Sequence, residues 1–359
     1  MHRFRMRTGW FWACGLSCCL VLVGCGNQDA AEDASATQPP VEQLADGVFE
    51  GGDDVETRFP TPLFRVSPEL SERFPLFCAE RIEGLEAGAM AGLDGWLYLK
   101  SELRFCSQGG FWGGPGDGED PLPAILDFAE QLRSRGVELW LVPVPAKAAV
   151  YPEGLDAGLA LGAGERLDRT MVAFLKELDG RGLQVVDLME PFLRAKAEGG
   201  PALYCKTDSH WSGYACELTA AILAEELKTV PGVQPDSRRA LETEERVVEV
   251  RGDLGGMLGD AGFTAGSEQL PLRTVTESGA PVAPDPASPV LVLGDSHTLV
   301  FHAGGDMHAV GSGLVDQLAY ELGTAVDLIG VRGSGATPAR ISLMRRMRTD
   351  PEYLAASGW

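Results

Sequence analysis

The sequence predicts an α/β fold, a three-layer α/β/α sandwich around a central, mainly parallel sheet. Three observations carry this. Short apolar strands alternate with amphipathic helices, the pattern that builds parallel sheets covered on both faces. The strands at 137–144 and 290–293 are almost entirely apolar, as strands buried on both faces are. With 45 Gly and 23 Pro in 359 residues, the chain has many tight loops and does not read as a helical bundle.

The elements follow in order. Asp94-Gly95 is a turn signal, and Trp96 to Leu99 then reads as a short strand. Residues 106–123 form a Gly-rich loop. Helical spacing runs from Leu122 to Arg135 and stops at Gly136, ahead of the strand 137–144. A second helix over 166–179 precedes a strand at 184–188. Ser212 is a good N-cap for a helix from Gly213 to about Lys228. The strand 290–293 runs into Gly294 and a further helix. Residues 315–322 are helical, 325–330 a fourth strand and 338–348 a last helix. In such sheets function collects at the carboxyl ends of the strands. If their strands are central, the loops after Leu188, Leu293 and Gly330 are therefore expected to lie near one another.

Composition narrows the function classes. Apolar residues are 45% and charged residues 23%, as in ordinary globular chains. Thirty Lys and Arg against 52 Asp and Glu give a formal charge of −22. A chain this acidic is a poor partner for nucleic acid or anionic membrane surfaces, and it repels polyanions unless a local basic groove intervenes.

Residues 1–24 are expected to lie outside the fold. Arg3, Arg5 and Arg7 form a basic stretch, and the apolar run Gly9 to Gly24 is too short for a comfortable membrane span. This is the pattern of an export signal. Leu22-Val23-Gly24-Cys25 resembles a bacterial lipobox, which implies cleavage before Cys25, a lipid on Cys25 and a periplasm-facing lipoprotein anchored to a membrane of the cell envelope. Residues 25–54, rich in Ala, Asp, Glu, Gln and Pro, read as an acidic tether, and 55–359 as one domain. After such a cleavage Cys78, Cys106, Cys205 and Cys216 remain in an oxidising compartment. Four cysteines allow three pairings. The local one, Cys78 with Cys106 and Cys205 with Cys216, is preferred here, with buried thiols as the alternative.

Two segments carry candidate chemistry. Gly294-Asp295-Ser296-His297 follows a buried strand, so Ser296 sits at a strand-to-helix turn where backbone N–H groups can stabilise an oxyanion. A bare N-cap explains the same Ser. Lys206-Thr207-Asp208-Ser209-His210-Trp211 offers a base, His210, with a carboxylate two residues before it. Taken alone, that segment is better explained by a turn-capping Asp208 and a satisfied His210. His297, His302 and His308 have spacings that suit no metal site on one helix or strand face, and no P-loop or dinucleotide loop is present. No metal and no cofactor is called for. The small-residue loop Arg332-Gly333-Ser334-Gly335 lies at a strand end, where it can turn tightly or supply an oxyanion donor.

Asp-Gly-Trp-Leu-Tyr-Leu at 94–99, Leu-Val-Pro-Val-Pro-Ala-Lys at 141–147, Lys-Thr-Asp-Ser-His-Trp-Ser at 206–212, Arg-Gly-Asp-Leu at 251–254, Gly-Asp-Ser-His at 294–297 and Arg-Gly-Ser-Gly-Ala at 332–336 occur in that order. Together they resemble the SGNH-hydrolase-like proteins related to the alginate O-acetyltransferases AlgX and AlgJ, over about residues 90–345. The Asp-x-His-Trp element precedes the Gly-x-Ser element, a permuted order that this group shares. The resemblance implies Ser296 as nucleophile, His210 as base and Asp208 as its orienter. It also implies an acetyl-serine intermediate, a polysaccharide hydroxyl as acceptor and a membrane O-acyltransferase that delivers the acetyl group. The Ser296 N–H is the expected oxyanion donor; the second is left open, with Gly333 and Ser334 as the candidates, and Lys206 and Trp211 match the family pattern and shape the loop. Relatives end in a further apolar strand after the last helix, and residues 352–359 stop short of one, so the sheet is expected to be one strand short. The negative charge favours a neutral or amino-sugar polymer over a polyuronate.

Three functions stay open at this point. One is an O-acetyltransferase and one an esterase of the same fold. The third is an idle polysaccharide-binding lipoprotein, which places Ser296 far from His210. Trp211, Tyr214, Trp112 and Phe111 are the candidate sugar-stacking aromatics that would favour transfer.

Overall fold

The computed structural model describes residues 18–24, 64–112, 120–233, 238–259, 266–333, 335–351 and 353–356. Its central sheet has five strands: β1 (Cys18–Gly24), β2 (Val137–Pro143), β3 (Gln184–Val185), β6 (Val290–Gly294) and β7 (Asp327–Gly330), in the order β7-β6-β1-β2-β3. Strands β6 and β7 pair in parallel, Leu293 opposite Ile329, and β2 pairs in parallel with β3. Strand β1 runs antiparallel to both of its neighbours, with Val21 opposite Val292 on one side and Trp140 on the other.

Helices cover both faces, because the strands are apolar on both. On one face Leu20, Leu22, Leu139, Leu141, Leu291 and Leu293 meet α3 (Leu122–Arg133), α4 (Arg169–Gly180) and α8 (Ala336–Thr349). On the other, Val21, Val23, Trp140, Val142, Val290 and Val292 meet α1 (Pro68–Ile82), α5 (Met189–Ala197), α6 (Gly213–Leu227) and α7 (Leu314–Leu322). Period-two alternation sends leucines one way and mainly valines the other, so each strand feeds two cores at once.

The α/β sandwich agrees with the sequence. The mixed sheet does not follow from it. Residues 18–24 were expected outside the fold, yet they form its central strand, and Cys19 to Val23 are all buried. The proposed lipid site, Cys25, lies outside the described residues, as do the whole tether and Ser334. A helix was expected directly after Gly294; the chain instead makes one short turn, Ser296–Thr298. An antiparallel ribbon of β4 (Leu241–Val250) and β5 (Glu268–Glu277) was also unforeseen. Most outward residues of β4 are charged, so it shows no apolar run.

Cys78, Cys106, Cys205 and Cys216 are free thiols, which departs from the expected pairing. Cys78 lies on α1, and Cys106 on α2 (Lys100–Ser107), which packs against it. Their thiols share a hydrogen bond, which with burial pushes Cys106 well above the ordinary range. Cys205 and Cys216 are both fully buried.

Candidate active site

The carboxyl ends of β2, β6 and β7 open onto a cleft of about 600 Å³. Residues 144–146 follow β2, Asp295 to His297 follow β6, and Arg332 and Gly333 follow β7; all line it. The loop after Leu188 does not, because its strand is at the edge of the sheet and the condition for that expectation is not met. Strand β3 ends early, at Val185, on the far side of β2.

Asp208 and His210 stand on a tight loop between α5 and α6. A β-bridge joins Tyr204 to Trp211, and Cys205 N–H donates to the His210 carbonyl at 3.3 Å. Three further side chains hold the loop. The Glu268 carboxylate accepts from Lys206 N–H, Thr207 N–H and the Thr207 hydroxyl at 2.7–2.8 Å. The Lys147 ammonium donates to the carbonyls of Lys206 and Asp208, each at 3.0 Å. The Asp253 carboxylate accepts from the Ser209 N–H and hydroxyl at 2.8 and 2.7 Å. Gly252 lets that neighbouring strand of chain approach, because a Cβ there would lie 2.0 Å from Thr207 backbone atoms. The Arg-Gly-Asp-Leu motif thus has a physical reason: a residue with no side chain beside one whose carboxylate clamps the loop.

Asp208 is 1% exposed and accepts four hydrogen bonds. On Oδ1 they come from His210 Nδ1 at 2.6 Å and His210 N–H at 3.0 Å. On Oδ2 they come from Asp253 N–H at 3.1 Å and His308 Nε2 at 2.9 Å. Burial alone would raise the Asp208 pKa, but the bonds from His210 and His308 outweigh it and hold the carboxyl well below the usual carboxylate range. Burial likewise opposes charge on His210, and the bond to Asp208 overrides it, so His210 holds its proton above the ordinary imidazole range. With Nδ1 bound to Asp208, Nε2 remains for a reacting group.

Ser296 opens the turn after β6, and Asp295 caps it by accepting the His297 N–H at 2.9 Å. The Trp211 indole N–H donates to the His297 carbonyl at 3.0 Å, tying the Ser296 turn to the His210 loop. The rings of His210 and His297 lie 5.0 Å apart. Ser296, His210 and Asp208 line one cleft. The Ser296 N–H lies at the start of a helical turn, where N–H groups lack partners within the turn.

Ligand atoms of Asp208, His210 and Asp253 lie within 4.8 Å of one another. The hydrogen bonds above already occupy both Asp208 oxygens, both Asp253 oxygens and His210 Nδ1, so the set is organised for proton handling. His302 bonds to Asp316 at 3.0 Å and His297 contacts Asp295 at 3.3 Å, so the three later histidines go to three different carboxylates.

The family model for the SGNH hydrolase-like domain of the acetyltransferase AlgX matches residues 89–353. The chain belongs to this family. It is 32% identical over 143 residues to the probable alginate O-acetylase AlgJ of Pseudomonas aeruginosa, covering 39% of this chain and 33% of that protein. It is 34% identical over 128 residues to the alginate biosynthesis protein AlgX of Azotobacter vinelandii, covering 35% of this chain and 25% of that protein. These matches span a quarter to a third of the relatives' lengths. The O-acetyltransferase domain of Pseudomonas putida AlgJ shares the fold, with a TM-score of 0.54 and 24% identity over 76% of this chain and 88% of that one.

Among the weaker site expectations, Gly333 lines the cleft with φ +77°. Lys206 turns away, its ammonium reaching the Asp94 carbonyl at 3.2 Å. Trp211 is fully buried and acts as a strut. The sugar-stacking expectation fails for all four aromatics. Phe111 and Trp112 pack on Phe174, and neither they nor Trp211 and Tyr214 line the cleft; Phe105 does. Lys147, Asp253 and His308 were not assigned from the sequence. The first two sit inside quoted motifs. His308 is 100 residues from Asp208 and no spacing links them.

Proposed function

We propose that this chain is a polysaccharide O-acetyltransferase that works through an acetyl-Ser296 intermediate. The observation that carries the reading is the buried Asp208–His210 pair, bonded at 2.6 Å through Nδ1, in the same cleft as Ser296. His210 Nε2 takes the Ser296 hydroxyl proton as Oγ attacks the acetyl carbonyl carbon. The oxygen of the tetrahedral intermediate faces the Ser296 N–H and the Gly333 loop. As the bond to the donor breaks, His210 returns the proton to the leaving oxygen. An acceptor hydroxyl then gives its proton to His210 and attacks acetyl-Ser296, which leaves as Ser296 with that proton. Asp208 stays ionised throughout and stabilises the imidazolium.

The cleft lining favours a neutral or amino-sugar acceptor. Asp253, Asp295, Asp306 and Glu102 face it, and Arg332 is paired with Asp306 at 2.8 Å. The family reading adds a membrane O-acyltransferase as the source of acetyl groups. The basic, then apolar, start of the chain supports export; a lipid on Cys25 requires cleavage that removes β1, so it fits this fold only if β2 and β6 close without that strand.

The test is mass spectrometry after incubation with p-nitrophenyl acetate, beside Ser296→Ala. One added acetyl group on Ser296, missing in the variant and discharged faster by a neutral oligosaccharide than by water, supports the transferase. Discharge by water alone makes it an esterase. A folded protein with neither adduct nor turnover sinks both.

A further inference from the structure

We propose that His308 is a positioning residue for acyl transfer, holding Oδ2 of Asp208 so that Oδ1 stays directed at His210; this rests on the reading of Ser296, His210 and Asp208 above. An ionised carboxylate only accepts, so the 2.9 Å contact places a proton on His308 Nε2. Asp208 is thereby gripped from two sides. Asp253 N–H and His308 take one oxygen, and the His210 backbone and ring take the other. Without His308, Oδ2 keeps only the longer bond from Asp253 N–H at 3.1 Å, a weaker check on rotation about χ2, and such a rotation would carry the His210 ring with it.

The backbone shows that this contact is built. His308 has φ +69° and ψ −49°, and Ala309 N–H donates back to the Met307 carbonyl at 2.9 Å, which makes His308 the centre of a strained γ-turn. Few side chains adopt that conformation without a compensating gain. Phe301, which carries the His308 ring at 5.9 Å, has φ +59°. The loop is closed around them: Phe301 N–H donates to the Met307 carbonyl at 2.8 Å, Gly304 N–H to the Ala309 carbonyl at 2.8 Å, and Ser312 N–H to the Phe301 carbonyl at 2.8 Å. The chain thus spends two strained residues to seat one imidazole against the buried Asp208. The His308 side chain is 11% exposed, and its ring is held by Asp208 and Phe301.

The test compares His308→Phe with His308→Gln in p-nitrophenyl acetate turnover, beside wild type and Ser296→Ala. Phe keeps a ring on Phe301 and the same backbone demand, and removes only the N–H. Gln restores an N–H. For His308→Phe we expect kcat to fall at least about tenfold with KM within about twofold, and for His308→Gln recovery of most of the loss. Equal losses in both variants, or an unchanged kcat in His308→Phe, overturn the role. If His308→Phe does not fold, wild-type imidazole 15N resonances decide. A protonated Nε2 on His308 with a near-wild-type His308→Gln supports the proposal, and an unprotonated Nε2 overturns it. Wild-type turnover that survives Ser296→Ala overturns the acyl-transfer reading itself. Loss of turnover in Ser296→Ala with an indifferent His308→Phe overturns only the role of His308.

Discussion

The indole N–H of Trp211 reaches the main-chain carbonyl of His297 at 3.0 Å and so joins two loops 86 residues apart in sequence. Trp211 follows His210 and His297 follows Ser296, so this bond fixes the proposed base relative to the proposed nucleophile. Trp211→Phe keeps most of the buried ring and removes the donor. It is expected to cost about 1 kcal/mol of stability and to lower kcat by about tenfold or more, because small misplacement of reacting groups is expensive. Denaturant melts and p-nitrophenyl acetate kinetics check this; a full loss of stability with unchanged kcat in the folded fraction would show that Trp211 serves the core alone.

The Asp208–His210 pair sets opposite demands on pH. In the proposed mechanism His210 must be neutral to accept the Ser296 proton, and its pKa lies above the ordinary 6.5 because Asp208 outweighs the effect of burial. The acid limb of kcat/KM is therefore expected above pH 6.5. Stability runs the other way. The raised His210 pKa contributes stability that is complete below 6.5 and is lost as pH rises through the folded value. The depressed Asp208 pKa contributes stability present above 3.8 and lost as pH falls toward its folded value. Both are present together between about 3.8 and 6.5, so the pair stabilises most where the enzyme is least active. Rate profiles and thermal melts across this range decide it; an acid limb at or below 6.5 would show that Asp208 does not dominate His210.

Lys147 supports the same loop from inside the protein. Burial pulls its pKa down from 10.5 to about 8, although Glu102 opposes that shift. Its ammonium satisfies two carbonyls, those of Lys206 and Asp208, and lies 5.4 Å from the Trp96 ring. Lys147→Met leaves both carbonyls without this donor and is expected to cost about 1–3 kcal/mol. A second signature distinguishes this from a generic packing loss. The folded chain releases the Lys147 proton before the unfolded chain does, so this group makes stability rise between about pH 8 and 10.5. That part of the slope should vanish in Lys147→Met, and a parallel slope in both proteins would refute the assignment.

Periodicity and turn chemistry made most of the fold legible. The helix at Leu122–Arg133, the strand Val137–Pro143, the Ser212 cap and the strand Val290–Gly294 all follow from local pattern. Ser296, His210 and Asp208 were legible because their neighbours carry motif residues. Lys147 and Asp253 stood in quoted motifs but had no evident role, since one donates to carbonyls while the other accepts from the Ser209 amide and hydroxyl and donates its own backbone N–H to Asp208, which no side-chain pattern reveals. His308 was invisible because its contact crosses 100 residues and its γ-turn leaves no composition signal. The ribbon β4–β5 was missed because β4 has mostly exposed, charged residues. The apolar run 18–24 has the composition of an export leader and that of a doubly buried strand, and composition alone cannot separate the two.

That last segment gives the sharpest test of the fold. Export with cleavage before Cys25 removes residues 18–24, while the sheet uses them between β6 and β2. Removing β1 strips the ladder partners from one side of each neighbour, seven residues of pairing on β2 and four on β6. It also takes Leu20, Val21, Leu22 and Val23 out of the two cores. Each buried Leu or Val contributes about 1.5–3 kcal/mol, and the net stability of a domain is about 5–15 kcal/mol. A protein of residues 25–359 is therefore expected to lose its cooperative thermal transition and its p-nitrophenyl acetate turnover, both of which the full chain retains. N-terminal sequencing of the protein purified from envelopes supplies the other half. A protein that begins at Cys25, melts cooperatively and stays active would show that β2 and β6 are bridged without β1, and that residues 18–24 serve as a leader.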